Sequence, residues 1–254
     1  MLRVHGRAAS DRTGTRRTRR PSPPAIEFHA SNLPRVRAPN AWEHLGVGSP
    51  QTLSEAHRRN VAVWAADCAE RVLGLFEAEA PGDSRPRDAI AQLRAFARGE
   101  LAVGEARRRF VAHAAAREVS APAAVAAARA AGQAASIPHM GAHALGAAAY
   151  AAKAAGLAAP DQPEAVSEEI RWQLGCMSAA ARAALRQLPP VGNNSSGPLG
   201  PGLLASGLLG SIIRDLQASL ADPDHALPPR SQADQDDGRK PEQPVEVHAT
   251  EHLG

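Results

Sequence analysis

Apolar residues recur at helical spacing through the middle of the chain. Val61, Trp64, Ala65, Cys68, Val72, Leu75 and Phe76 fall on one face of a 3.6-residue period. Ahead of them Thr52-Leu-Ser-Glu55 has the form of a capping box, so a first helix is expected to open with Thr52 as N-cap. Pro81-Gly-Asp-Ser84 breaks the pattern, Pro86 restarts a helix through Ile90, Leu93 and Phe96, and Gly99 ends it. The same reasoning predicts a third helix over 103–118 and a fourth from a Ser120 N-cap with Pro122 in its first turn. A fifth runs from His139 to Leu157, and two shorter ones cover 164–175 and 178–188. Connections this short imply antiparallel neighbours. The expected fold class is therefore all-α, a compact bundle of about five to seven antiparallel helices.

The flanks lack that pattern. Residues 1–50 are rich in Arg, Pro, Ser and Gly and read as a disordered basic leader; residues 51–189 form the helical domain. Residues 190–254 read as a Gly/Pro-rich and acidic tail, with one short helix near 203–220 that uses Leu204, Leu208, Ile212, Leu216 and Leu220.

Composition sharpens this picture. The chain is 44% hydrophobic but only 3% aromatic, and its excess of Ala over β-branched residues excludes an all-β fold. Gly132, Ala135, Gly141, Ala142 and Gly146 would let helix axes approach closely. Trp64, Phe76, Phe96, Phe110, Met140 and Trp172 are then the expected anchors of an alanine-rich core. With 29 Lys and Arg against 26 Asp and Glu, the formal charge is only +3. No apolar h-region follows the N-terminal arginines, and no apolar run reaches the roughly 20 residues of a bilayer span. A soluble, cytoplasmic protein is the expectation. Cys68 and Cys176 stand too far apart in sequence to suggest a disulfide framework or a zinc ribbon, and Cys68 is expected to be buried packing.

Few residues suggest chemistry. Asp67 and Arg71 are four apart at the margin of the first apolar stripe, where they can pair along the helix or bridge to a neighbour. His139 and His143 have the i, i+4 spacing of zinc-binding helices, and His113 could be a third ligand. Met140 stands where a zinc hydrolase carries glutamate, so satisfied structural histidines and no metal or other cofactor are expected. Arg107, Arg108, Arg109 and Arg117, and the arginines of residues 16–20, could contact phosphates. No aromatic interleaving, helix-turn-helix or finger pattern accompanies them, which argues against a nucleic-acid partner.

One ordered series of segments goes further. It comprises Val63-Trp-Ala-Ala-Asp-Cys-Ala-Glu-Arg-Val-Leu73, Pro81-Gly-Asp-Ser-Arg-Pro-Arg87, Ala95-Phe-Ala-Arg-Gly-Glu100, Ala112-His-Ala-Ala-Ala-Arg-Glu118 and His143-Ala-Leu-Gly-Ala-Ala-Ala-Tyr150. In these the chain resembles bacterial immunity proteins with an Imm-five-like domain, over about residues 52–185. Ile170-Arg-Trp-Gln173 resembles that family's Trp-Gln helix, although Leu174-Gly-Cys-Met-Ser178 replaces a more charged continuation. The resemblance implies a small helical protein of polymorphic-toxin systems that binds and neutralises a cognate protein toxin without being an enzyme. The alternatives are a metal-dependent or small-molecule enzyme built on the histidines and an Arg-driven nucleic-acid binder.

Overall fold

The computed structural model describes residues 48–104 and 112–222, all within one unit, Pro39–Gly254. The expected basic leader up to residue 47, the arginines at 107–109 with Phe110, and the acidic end beyond residue 222 lie outside the described residues. Regular structure among the described residues is helical throughout. In chain order it comprises α1 (Glu55–Arg71), α2 (Leu73–Glu77), α3 (Arg85–Arg98), α4 (Ala112–Ala115) and α5 (Pro122–Ala135). There follow α6 (His143–Ala158), α7 (Ala165–Gly175), α8 (Ala179–Leu185), a 3-10 turn (Leu203–Ala205) and α9 (Gly207–Ala221). The all-α class expected from the periodicity is the class observed.

The first helix starts later than its sequence suggests. Ser54, not Thr52, is the N-cap, and its hydroxyl accepts from the His57 N–H at 3.2 Å. Thr52 is engaged elsewhere: its carbonyl accepts from Gly141 N at 3.0 Å, and the Gln51 carbonyl accepts from Ala142 N at 3.0 Å. Between the two roles Leu53 takes a left-handed φ of 60°, a conformation that costs a branched residue energy and persists only where surroundings impose it. The buried Gln51 side chain completes a clasp. It donates to Ser196 O at 2.7 Å and accepts from Leu199 N at 2.9 Å. Gly197, at φ +80°, lies against this amide; a Cβ there would stand 2.7 Å from Gln51 Oε1, so the clasp requires glycine.

Two alanine-rich helices, α5 and α6, pack on each other more extensively than any other pair. Nearly every residue of α6 from Ala144 to Ala152 is buried, as are Ala124, Ala127, Ala128, Ala131 and Ala134 of α5. Short side chains contribute little area each but lose no rotamer entropy, so close approach substitutes for bulk. At Gly146 the approach is tightest, since a Cβ would lie 2.6 Å from Gln133 Oε1 and 3.0 Å from Leu204 Cδ1. Around this layer Trp64, Phe76 and Phe96 are buried as expected, whereas Met140 and Trp172 are only partly so. Met140 lies in the turns before α6, and Trp172 stands at the margin under an arginine.

The fourth predicted helix corresponds to α5, but its cap is not Ser120. Ala121 is the N-cap and offers no side-chain bond. The orphan amides are met by Glu79, which follows α2: its carboxylate accepts from Ser120 N at 2.7 Å, Ser120 Oγ at 2.9 Å and Ala121 N at 3.0 Å. An anion at a helix N-terminus also favours the macrodipole. The Ser120 amide, before the other donors, holds the Glu79 carboxyl below the ordinary value of 4.5. A depressed folded-state pKa contributes stability above the unfolded value and loses it as pH falls through the folded one. Glu79→Gln is therefore expected to lower the melting temperature near neutral pH, and the difference should close in acid. Thermal melts across that range check it.

Residues 203–220, read from sequence as one helix in a tail, hold the 3-10 turn and then α9. Leu199, Leu204, Leu209, Ile212, Ile213, Leu216 and Leu220 are buried in the same core as α1 and α6. Of the expected stripe, Leu204, Ile212, Leu216 and Leu220 are buried, while Leu208 at the helix start faces outward and Leu209 takes the inward place.

Candidate functional site

Asp67 and Arg71 both bridge between helices, and they do so to different partners. Arg71 Nε reaches Glu169 Oε2 of α7 at 2.8 Å, and its guanidinium lies 4.2 Å from the centroid of the Trp172 ring. Asp67 pairs at 2.9 Å with Arg94 of α3, which also binds Glu70. The within-helix pair permitted by the spacing gives way because Glu169 is buried and presents a charge that a cation must meet. Gln173, also buried, continues the seam: its Nε2 donates to Glu169 Oε1 and to Ala148 O, both at 3.1 Å. The Gln173 carbonyl accepts from Trp64 Nε1 at 2.7 Å. Glu169 was not singled out from sequence, although the Trp172-Gln173 pair of the family resemblance lies on the same helix.

This seam is built for cohesion. Arg71 is half exposed and water can screen what remains after a change, so Arg71→Met is expected to cost about 1–3 kcal/mol, the penalty for stranding a buried acceptor. Glu169→Gln, which removes the buried charge while keeping a hydrogen-bonding group, should cost less. Urea unfolding of both variants measures the order.

The histidines do not share a helical face. Residues 136–139 form turns in which the His139 and Met140 amides donate to Ser136 O, and α6 begins only at His143. His139 is exposed, while His143 Nδ1 lies 2.8 Å from Gln133 Oε1 on α5. Both border a cleft of about 380 Å³ between the start of α6 and the 197–204 strap. The His113 side chain is outside the described residues. Among the described residues no group of three His, Cys, Asp or Glu side chains is placed to hold a metal ion.

A second depression, of about 340 Å³, opens between α5, α6 and the start of α9. Arg129, Tyr150, Lys153, Leu157 and Leu203 are on its wall. Its rim is unusually apolar for a surface: Leu157 is 39%, Leu203 61% and neighbouring Leu208 49% exposed. Two cations accompany the leucines. Arg129 donates to Tyr150 Oη at 3.3 Å with its guanidinium 5.8 Å from the ring centroid. Among the described residues neither Arg129 nor Lys153 has a carboxylate partner, unlike Arg59, Arg71, Arg85, Arg87, Arg94 and Arg98. Sequence reasoning missed this surface: it placed Leu208 on a buried stripe and gave no role to Arg129, Lys153, Leu157 or Leu203. No helix among the described residues is long and apolar enough to cross a membrane.

The class these features define is an all-helical protein with an apolar, cation-flanked surface groove and a buried polar seam. A protein-family model, described as Imm-5 like putative immunity protein, matches residues 51–180 of the 254, just over half of the chain. The chain belongs to this family. No match was found to a curated protein or to a solved structure.

Proposed function

We propose that the chain is a non-enzymatic, cytoplasmic immunity protein that neutralises a cognate protein toxin by binding it through the Arg129–Lys153 groove. Family membership supports the role. The observation that carries the choice of surface is the coincidence of exposed Leu157, Leu203 and Leu208 with two cations that lack carboxylate partners among the described residues. Exposed apolar patches mark interaction sites, and a cation left without an internal acceptor is ready for an acidic partner. The groove would take an acidic segment with apolar side chains, the complement of its wall. No cofactor, metal, membrane or nucleic acid enters this reading.

Growth protection tests the role: if a neighbouring gene encodes a toxin domain, cells expressing it should survive only when the chain is co-expressed. Calorimetry tests the surface. Lys153→Glu and Arg129→Glu should each weaken toxin binding by about tenfold or more, roughly 1.4 kcal/mol. Binding unaffected by both reversals would overturn the groove, and absence of both protection and binding would overturn the role.

A further inference from the structure

The groove between α5, α6 and the start of α9 has a chemical complement in the same chain. Past Lys240 the sequence runs Pro241-Glu-Gln-Pro-Val-Glu-Val-His-Ala-Thr-Glu251. Glu242, Glu246 and Glu251 give residues 241–254 three negative charges, and no Lys or Arg stands among them. Val245 and Val247 flank Glu246, so on an extended backbone the valines share one side and the carboxylate takes the other. The groove presents the matching set: exposed Leu157, Leu203 and Leu208 for the valines, and Arg129 and Lys153 for the carboxylates. The other acidic stretch beyond α9, Asp234-Gln-Asp-Asp237, holds no apolar side chain and runs into Arg239 and Lys240. Distance permits the match. Leu209 of α9 lines the groove and the chain leaves that helix at Asp222, about 20 Å away at a helical rise of about 1.5 Å per residue. Residues 223–241 reach up to about 60 Å when extended.

We propose that residues 242–247 occupy the Arg129–Lys153 groove as an intramolecular placeholder, which the toxin must displace. The inference rests on the groove being the binding surface and adds a regulator to it. Carboxylates of the segment pair with the two cations that have no carboxylate among the described residues, and its valines cover leucines that would otherwise face water. Tethering makes the contact intramolecular, at an effective concentration of about 1 mM. A segment whose untethered Kd is also about 1 mM then fills the groove about half of the time. Occupancy of that order raises the apparent Kd of the toxin only about twofold, while it shields the groove from weaker, unrelated partners.

The test needs no toxin, because the chain has only two lysines, Lys153 and Lys240. A water-soluble carbodiimide joins an amine to a carboxylate in contact with it, with loss of one water. Applied to the full chain, it should link Lys153 to Glu242 or Glu246, as read by peptide mass mapping. A mixture of isotopically labelled and unlabelled chains should give no mixed-label link. Arg129→Glu keeps Lys153 and every tail carboxylate, and should lower the link about tenfold. Leu203→Ser, at a side chain 61% exposed, should lower it as well. Links from Lys240 to its sequence neighbours should stay constant in both variants and serve as the internal standard. No link at Lys153, links only to Asp224 through Asp237, a link between two chains, or a link indifferent to both substitutions would overturn the placeholder and leave the toxin's use of the groove standing. A link that responds to both substitutions, beside toxin binding that ignores the Arg129 and Lys153 reversals, would support docking of the segment and overturn only the toxin's use of the groove.

Discussion

A chain ending at Leu188 is expected not to fold. From sequence, residues 52–188 would form an independent domain; the structure instead buries Leu199, Leu204, Leu209, Ile212, Ile213, Leu216 and Leu220 in the common core. Each large apolar side chain contributes about 1.5–3 kcal/mol on burial. Their joint loss, on the order of 10 kcal/mol, matches the whole stability of a typical domain, about 5–15 kcal/mol. The truncation also removes Ser196 O and Leu199 N, leaving the Gln51 amide without the partners that justify burying it. We propose that the folding unit extends to Asp222. Circular dichroism should show a cooperative helical melt for a chain ending at Asp222 and none for one ending at Leu188. A cooperative melt of the shorter chain would return the boundary to where the sequence suggested it.

Trp64→Ala should be the most damaging single substitution, at about 3–5 kcal/mol, the range for truncating a large buried aromatic. Its ring is almost wholly buried, and its indole N–H meets Gln173 O, tying α1 to α7. An alanine-rich core has little bulk to collapse into the space, which places the cost toward the upper end. Trp64→Phe separates the two contributions. It keeps most of the packing and removes the hydrogen bond, so it should cost about 1 kcal/mol for the bond plus a smaller packing loss. Chemical unfolding of both variants measures the difference. A loss below about 1 kcal/mol for Trp64→Ala would mean that the ring is exposed in solution.

How much of this was legible in the sequence depended on whether a signal was local. Helix α3 starts after Ser84, carries Pro86 in its first turn and stops at Gly99 with φ 85°, all as local stereochemistry dictates. The start of α1 was misplaced because Thr52 and Ser54 can both cap, and the choice was made by Gly141, almost ninety residues on, which needs the Thr52 carbonyl. The cap of α5 was misassigned for a similar reason, since the carboxylate that serves it comes from Glu79. At His139 the i, i+4 spacing was real, but Pro138 and the bonds to Ser136 O keep those residues in turns. Asp67 and Arg71 were recognised as structural ions, while their partners Arg94 and Glu169 depend on how α3 and α7 pack. The groove could not be read at all. Arg129 and Lys153 look like any solvated helix cations until the 203–209 segment arrives beside them.

The Gln51 clasp also sets an order of events. Its two side-chain bonds span 145 and 148 residues, so the closure entropy of nearly the whole unit must be spent before they form. A ribosome delivers Gln51 long before Ser196 and Leu199. During that interval Gln51 must stay hydrated, and Leu53 is under no compulsion to hold its left-handed backbone. The turn into α1 should therefore be among the last parts of the unit to set, after α5 and α6 have paired through their shorter separation. Refolding followed by pulsed hydrogen exchange should find the amides of Gly141, Ala142 and Leu199 protected later than those in the middle of α6.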